Sequence, residues 1–246
     1  MNPATIPDAM EKASDFRLSA QQIAYFQTFG FLFLPGLFKA DIDRLEEGFE
    51  EAFATRTPNC VLTEDPLQET DTTFKERKRV ILFQIVEQSD KLRWLATDPR
   101  VVNIVKGIMG ERFEPRPTDG HIFHCDTSWH PDMGFTSMAS PQGGDDRFRL
   151  KLSFYLDPQR ANSGAIRLIP GSHFHDGQYA KTLLTNLFGS PQKIKGVYGV
   201  DASEIPCWIV ETDPGDLICW NFRTFHATFH GFERRRLFSM TYAEVV

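Results

Sequence analysis

Seven histidines, His121, His124, His130, His173, His175, His226 and His230, carry the metal-binding potential of this chain. Two of them open an H-x-D unit: His124-Cys125-Asp126 and His130-Pro131-Asp132. Residues i and i+2 of a strand point to the same side, so either unit offers an imidazole and a carboxylate to one ion. A non-haem Fe(II) oxygenase centre needs two histidines and one carboxylate on one face of the metal, with the other positions left open. The third ligand must then come from a distant strand. Gly215-Asp216 begins a turn and a buried run that ends at His226, a candidate of that kind. Isolated H-x-D units are common in structural and solvated positions, so neither unit is selected on these grounds alone. Arg234-Arg235-Arg236 open the last apolar run. Arginine holds carboxylates in a two-pronged fork, so one of the three could anchor a dicarboxylic acid beside a metal; a solvated basic turn is the alternative.

The chain that must position these groups has 246 residues, 27 Lys+Arg against 33 Asp+Glu, and a net charge of −6. That length suits one large domain spanning 1–246. With 41% hydrophobic and 24% charged residues the composition is that of a folded soluble protein, not a disordered one. The acidic balance argues against a nucleic-acid partner. No apolar run approaches the roughly 20 residues that cross a bilayer, so no membrane partner is expected. The N-terminus lacks the basic and apolar blocks of a secretory signal. Cys60, Cys125, Cys207 and Cys219 form no C-x-x-C pair, which predicts buried free thiols in a cytoplasmic protein.

Residues 1–17 read as a loose arm. Ile23, Phe26 and Phe29 recur at helical spacing behind Ser19, a natural N-cap, and Gly30 is a natural stop. A short strand over 31–38 and a second amphipathic helix over 40–53 follow. Residues 79–88 read as one strand with a lone polar residue, Gln84, where an unpaired amide would be costly. Helices over 91–109 break at Asp98-Pro99. Beyond them come short β-like runs at 121–124, 148–156, 165–170, 207–212, 216–222 and 235–245. Lys151, Ser153 and Tyr155 alternate with Leu150, Leu152 and Phe154, so they share one face, either barrel-lining or outward. Two polar stretches, 55–78 and 176–206, read as candidate lid loops. Helices followed by many strands predict a mainly β sandwich or barrel with flanking helices.

Four blocks together carry a resemblance. They are Gly30-Phe-Leu-Phe-Leu-Pro-Gly, Ser128-Trp-His-Pro-Asp132, the stretch from Leu156-Asp-Pro through Asn162-Ser-Gly-Ala-Ile-Arg-Leu-Ile-Pro-Gly-Ser-His173, and Gly215-Asp216 through His226 to the arginines. In this order, over residues 20–242, the chain resembles the phytanoyl-CoA dioxygenase family of Fe(II)- and 2-oxoglutarate-dependent oxygenases. The resemblance implies a double-stranded β-helix, a cupin-like jelly roll buttressed by N-terminal helices. It implies His130, Asp132 and His226 as iron ligands, with His124-Asp126 as a decoy and His173 structural. It implies a 2-oxoglutarate arginine at the start of the last strand. Arg235 is favoured there, then Arg236, with Arg234 still open, because the turn is shorter than in the family. Thr228 would assist the same carboxylate, and Gln84 would reach the keto acid from its strand. The implied activity is hydroxylation of a C–H bond in a small-molecule metabolite with O₂, releasing succinate and CO₂. The carboxylate of Asp132 favours hydroxylation over halogenation, where a small residue stands at that position. The alternatives are a keto-acid-independent cupin-type metal enzyme and a catalytically silent binding barrel. Oligomeric state is not readable from the sequence.

Overall fold

The computed structural model describes residues 15–55, 60–63, 79–132, 147–174, 177–188 and 190–245. Helix α1 (Ala20–Phe29) starts at a reciprocal cap. The Gln22 amide donates to Ser19 Oγ at 3.1 Å, and the Ser19 amide donates to the Gln22 side chain at 2.9 Å. It ends at Gly30, whose φ of 83° is left-handed. There a Cβ would lie 2.4 Å from His173 Nδ1, so close approach as well as backbone conformation requires glycine. Strand β1 (Phe31–Leu34) and helix α2 (Ile42–Thr55) follow where the periodicity places them.

Ten further strands among the described residues make up the rest of the β framework. They are β2 (Cys60–Thr63), β3 (Arg79–Phe83), β4 (Phe113–Phe123), β5 (Thr127–His130) and β6 (Arg149–Tyr155). After these come β7 (Ile166–Leu168), β8 (Trp208–Val210), β9 (Leu217–Asn221), β10 (His226–Thr228) and β11 (Arg235–Glu244). Seven form one sheet in the order β1-β9-β6-β11-β4-β3-β2, and four form another in the order β5-β10-β7-β8. Neighbours pair antiparallel throughout. Two antiparallel sheets with helices outside make the jelly-roll core that the resemblance implies.

Period-2 alternation decides what each sheet shows to each side. From β6, β9 and β11, Leu150, Leu152, Phe154, Cys219, Phe238, Met240 and Tyr242 pack outward. They meet Leu45 and Phe49 of α2 and Val101, Ile104 and Val105 of α4 (Pro99–Met109). Phe154 and Phe238 stack at 4.6 Å, and each fully buried ring contributes about 2–3 kcal/mol by area. The opposite sides of these strands face the smaller sheet, where Tyr155, Ile218 and Trp220 meet Ile166, Leu168 and Val210.

Three sequence expectations are corrected. The strand over 79–88 ends at Phe83. Gln84 takes a left-handed φ of 59° and starts the short helix α3 (Ile85–Gln88), held over β4 where Thr118 donates its amide to the Glu87 carboxylate at 3.0 Å. The stretch 176–206 is not a loop. It carries α5 (Gln178–Asn186) and α6 (Pro191–Tyr198), whose Leu183 and Ile194 bury against Trp129, Phe225 and Phe229 on the outer side of the smaller sheet. Their apolar spacing buttresses that sheet. In the N-terminal arm, Phe16 is buried and its carbonyl accepts from Asn103 Nδ2 at 3.1 Å. Residues 1–14, and most of the lid candidate at 55–78, lie outside the described residues. No helix among the described residues is long and apolar enough to cross a membrane.

Candidate metal centre and its cleft

Strands β5 and β10 are neighbours, and their register sets His130 directly opposite His226. The two rings lie 4.3 Å apart between centroids. Pro131 turns the chain after β5, and Asp132 follows. One ligand atom from each of His130, Asp132 and His226 falls within 4.8 Å of the others, the only such group of three or more among the described residues.

The backbone sets the imidazoles. His130 Nδ1 lies 2.6 Å from the Ser128 carbonyl, and His226 Nδ1 lies 3.0 Å from the Thr224 carbonyl. A carbonyl only accepts, so each Nδ1 carries the proton and each Nε2 is left as a lone-pair donor. The carboxylate is set from the other sheet. Trp220 Nε1 donates to Asp132 Oδ2 at 3.1 Å, and Lys151 Nζ donates to the same oxygen at 3.4 Å. Oδ1 is turned to His226 Nε2, 3.7 Å away. Burial opposes ionisation of Asp132, but the charges of Lys151, His226 and His130 and the Trp220 hydrogen bond prevail, holding its carboxyl well below the usual range. Burial pushes His226 down to about 4 against the attraction of Asp132, so its imidazole is neutral at physiological pH. Two imidazole nitrogens and one carboxylate oxygen, facing a cleft on one side, are the donor set of a facial Fe(II) site.

The same cleft is lined by Thr127, Lys151, Ser153, Tyr155, Gln159, Thr228 and Arg235. The face of β6 left open by the sequence is therefore the inward one. Arg235 is 3% exposed and has no carboxylate in contact among the described residues. Its Nη1 donates to the Gly164 carbonyl at 2.9 Å, and its Nη2 to the Cys125 and Gly231 carbonyls at 2.6 and 3.3 Å, while its Nε is unpartnered. Glycine at 231 and 164 makes room for it, since a Cβ at either would come within 2.2 or 2.5 Å of the guanidinium. A buried cation paired only with carbonyls, one N–H unsatisfied, fits an incoming carboxylate.

Its neighbours in sequence are otherwise engaged. Arg236 points outward and binds Asp157, Glu46 and Glu50 at 2.6–2.8 Å. Arg234 is exposed and pairs with Glu50 at 3.1 Å. Arg234 precedes β11, and alternation along β11 separates Arg235 from Arg236. Thr228 lines the cleft, its hydroxyl 2.9 Å from that of Thr127. Gln84 does not reach the cleft: it is exposed, and its side-chain oxygen accepts from Gln88 at 2.8 Å. The decoy Asp126 is buried and accepts from the Gly231 amide at 2.8 Å. His173 packs against Gly30, with Nε2 3.1 Å from the Gln27 carbonyl. Sequence reasoning missed Trp220, which looks like any strand aromatic, and Gln159, which looks like any turn residue.

The fold and the donor set define a jelly-roll protein with a candidate two-histidine, one-carboxylate centre in a cleft lined by both sheets. The sequence profile described as phytanoyl-CoA dioxygenase (PhyH) matches residues 26–235, and the chain belongs to that family. Among curated relatives, the ectoine dioxygenase of Sphingopyxis alaskensis is 25% identical over 206 residues, covering 74% of this chain. The match spans 62% of that relative's length, less than two thirds. The ectoine dioxygenase of Stutzerimonas stutzeri is 22% identical over 257 residues, 93% of this chain and 76% of that one. Among solved structures, EctD from S. alaskensis with bound Fe superposes with a TM-score of 0.66 at 17% identity, over 94% of this chain and 78% of that one. The non-haem α-ketoglutarate-dependent epimerase SnoN from nogalamycin biosynthesis gives 0.66 at 18% identity, over 91% and 80%. At such identities these likenesses establish the fold.

Proposed function

We propose that this protein is an Fe(II)- and 2-oxoglutarate-dependent oxygenase that hydroxylates a C–H bond of a small-molecule metabolite in the cytoplasm. The observation that carries the reading is the pairing, in one cleft, of the His130–Asp132–His226 cluster with the buried, carboxylate-free Arg235. When bound, iron and 2-oxoglutarate supply the oxidising chemistry: O₂ is consumed, the keto acid is decarboxylated to succinate and CO₂, and a C–H bond becomes C–OH.

The chain's own residues hold and shield that chemistry. His130 and His226 present Nε2, and Asp132 presents Oδ1 while Trp220 and Lys151 retain Oδ2. Arg235 takes the remote carboxylate of the keto acid, with Thr228 beside it. Tyr155, whose ionisation burial suppresses, stays a neutral hydroxyl on the wall. Buried thiols at Cys125 and Cys219 and the net charge of −6 support the cytoplasmic, small-molecule part of the reading.

The test is an anaerobic titration of the apo-protein with Fe(II) and 2-oxoglutarate, monitored for the visible charge-transfer band of the chelated keto acid. The band is expected in wild type, absent in His130→Ala and weakened in Arg235→Ala. Iron binding with no band would favour a keto-acid-independent enzyme, and no iron binding would favour a silent barrel.

A further inference from the structure

Among the described residues, four buried side-chain polar atoms without a hydrogen-bond partner belong to residues that line the cleft: Arg235 Nε, His121 Nδ1, and both amide atoms of Gln159. Gln159 is the most unusual. It is 1% exposed, yet neither its Oε1 nor its Nε2 has a partner among the described residues. A buried amide with both ends unpaired is costly, because it has lost its hydrogen bonds to water and gained none in the protein. The residue is not loosely placed. Its backbone is bridged to Thr212 in both directions, at 2.9 and 3.0 Å. It sits four residues after Tyr155 on the loop that also gives the Gly164 carbonyl to Arg235 at 2.9 Å.

The hydrogens of Arg235 show what this amide is for. A guanidinium has five. Both on Nη2 go to the carbonyls of Cys125 and Gly231, and one on Nη1 goes to Gly164. The edge formed by Nε and Nη2 therefore offers a carboxylate one hydrogen where an unencumbered arginine offers two. The Thr228 hydroxyl shares a hydrogen bond with that of Thr127 at 2.9 Å in which either can be the donor, so Thr228 adds at most one hydrogen. A carboxylate docked on this arginine meets one guanidinium hydrogen on that edge and at most one from Thr228, and Gln159, whose Nε2 has no partner among the described residues, is a lining residue of the same cleft.

We infer that Gln159 is a second ligand of the remote carboxylate of 2-oxoglutarate, completing the partial fork that Arg235 presents. The inference rests on the 2-oxoglutarate-dependent reading above and assigns one more residue to it. An amide donor to a carboxylate is a charge-assisted bond, and its loss strands one oxygen in a buried site. A ligand role carries a second consequence. In the free protein the amide is a liability, so replacing it by a hydrocarbon of similar size removes two unsatisfied atoms.

The experiment compares wild type and Gln159→Leu, each loaded with Mn(II), which binds the keto acid without turnover. Calorimetry measures binding of 2-oxoglutarate and of 2-oxopentanoate, which has the same chelating end and no remote carboxylate. Gln159→Leu is expected to weaken 2-oxoglutarate at least tenfold, to change 2-oxopentanoate less than twofold, and to leave the apo-protein melting temperature equal or higher. Unchanged 2-oxoglutarate binding would overturn the assignment, as would equal weakening of both keto acids or a lowered melting temperature. Gln159→Met provides a second hydrocarbon-like variant, and failure of both to fold would show a structural role and overturn it too. Wild-type protein that binds Mn(II) but neither keto acid would overturn the parent reading, an outcome distinct from all of these.

Discussion

Lys151 Nζ lies 3.4 Å from Asp132 Oδ2, joining a strand of the larger sheet to the segment that leaves β5 of the smaller one. Trp220, also on the larger sheet, donates to the same oxygen at 3.1 Å. The histidines come from one sheet and the groups that aim the carboxylate from the other. The centre is therefore correctly formed only when the two sheets are packed together. Orienting partners of metal ligands are commonly worth 10–100-fold in metal affinity. Trp220→Phe keeps the ring packing and deletes the donor. Its Fe(II) affinity, measured by competition with a chromophoric chelator, is expected to fall about tenfold. An unchanged affinity would show that Lys151 alone positions Asp132.

The glycines around Arg235 give a variant that separates the two halves of the site. In Gly231→Ala the new Cβ would sit 2.2 Å from Arg235 Nη2, the end of a flexible side chain, so the guanidinium moves and the fold survives. We expect 2-oxoglutarate affinity to drop at least tenfold while metal affinity stays within twofold. Equal losses of both would mean that the turn also supports the metal ligands.

The two H-x-D units make opposite predictions. His130→Ala removes a cluster member and should abolish stoichiometric Fe(II) binding. His124 belongs to no metal-ligand group among the described residues, and His124→Ala should bind iron as wild type does. Loss of binding in both would contradict the geometry.

The pH dependence of the metal-free protein follows from His226. Burial lowers it from 6.5 to about 4, so between these values the unfolded chain holds a proton that the folded chain refuses. Stability is full above 6.5 and falls as pH drops toward 4, by up to about 1.4 kcal/mol per pH unit. His173, also pushed down by burial, adds to the same trend. Asp132, held below its ordinary value, titrates under this window and does not offset it. Urea unfolding of apo-protein should show this slope, and His226→Gln should reduce it without removing it. Excess Zn(II) should steepen it, because bound metal keeps the ligand imidazoles of the folded chain deprotonated while the unfolded chain still takes up protons.

Gly30 links the first helix to the Pro-Gly-Ser-His turn. Gly30→Ala combines a positive φ with a Cβ 2.4 Å from His173 Nδ1 and 2.7 Å from Thr224 Oγ1. The expected cost is roughly 2–4 kcal/mol, a fall in melting temperature of about 5–10 °C for a chain of this size. Gly36 has a φ of 66° but nothing within 4 Å of its Cβ position. Gly36→Ala should cost only about 1–2 kcal/mol. Calorimetric melting of the pair separates backbone strain from steric exclusion.

Local chemistry was legible without coordinates. Ser19 and Gly30 bound α1 because a cap needs an oxygen acceptor and a stop needs a left-handed residue. The inward and outward residues of β6 follow from alternation once one face is known to be buried. His130, Asp132 and His226 stood out because a facial metal site limits which residue types and spacings can serve.

What the sequence left open depended on neighbours far away in the chain. Whether Lys151, Ser153 and Tyr155 face the cleft was decided by the smaller sheet covering that side of β6. Arg234, Arg235 and Arg236 are alike as residues. They are distinguished by the acids of α2 that draw two of them outward and by the glycines that admit the third. Gln84 read as a buried strand amide until the chain was seen to turn over β4, which exposes it. The stretch 176–206 read as polar loop because half its residues are solvated, and only the outer side of the smaller sheet shows what its apolar half is for. Caps and alternation are short-range, dictated by hydrogen-bond geometry within a few residues. Selection among equivalent side chains depends on which charges, carbonyls and empty spaces the packed sheets bring to each one.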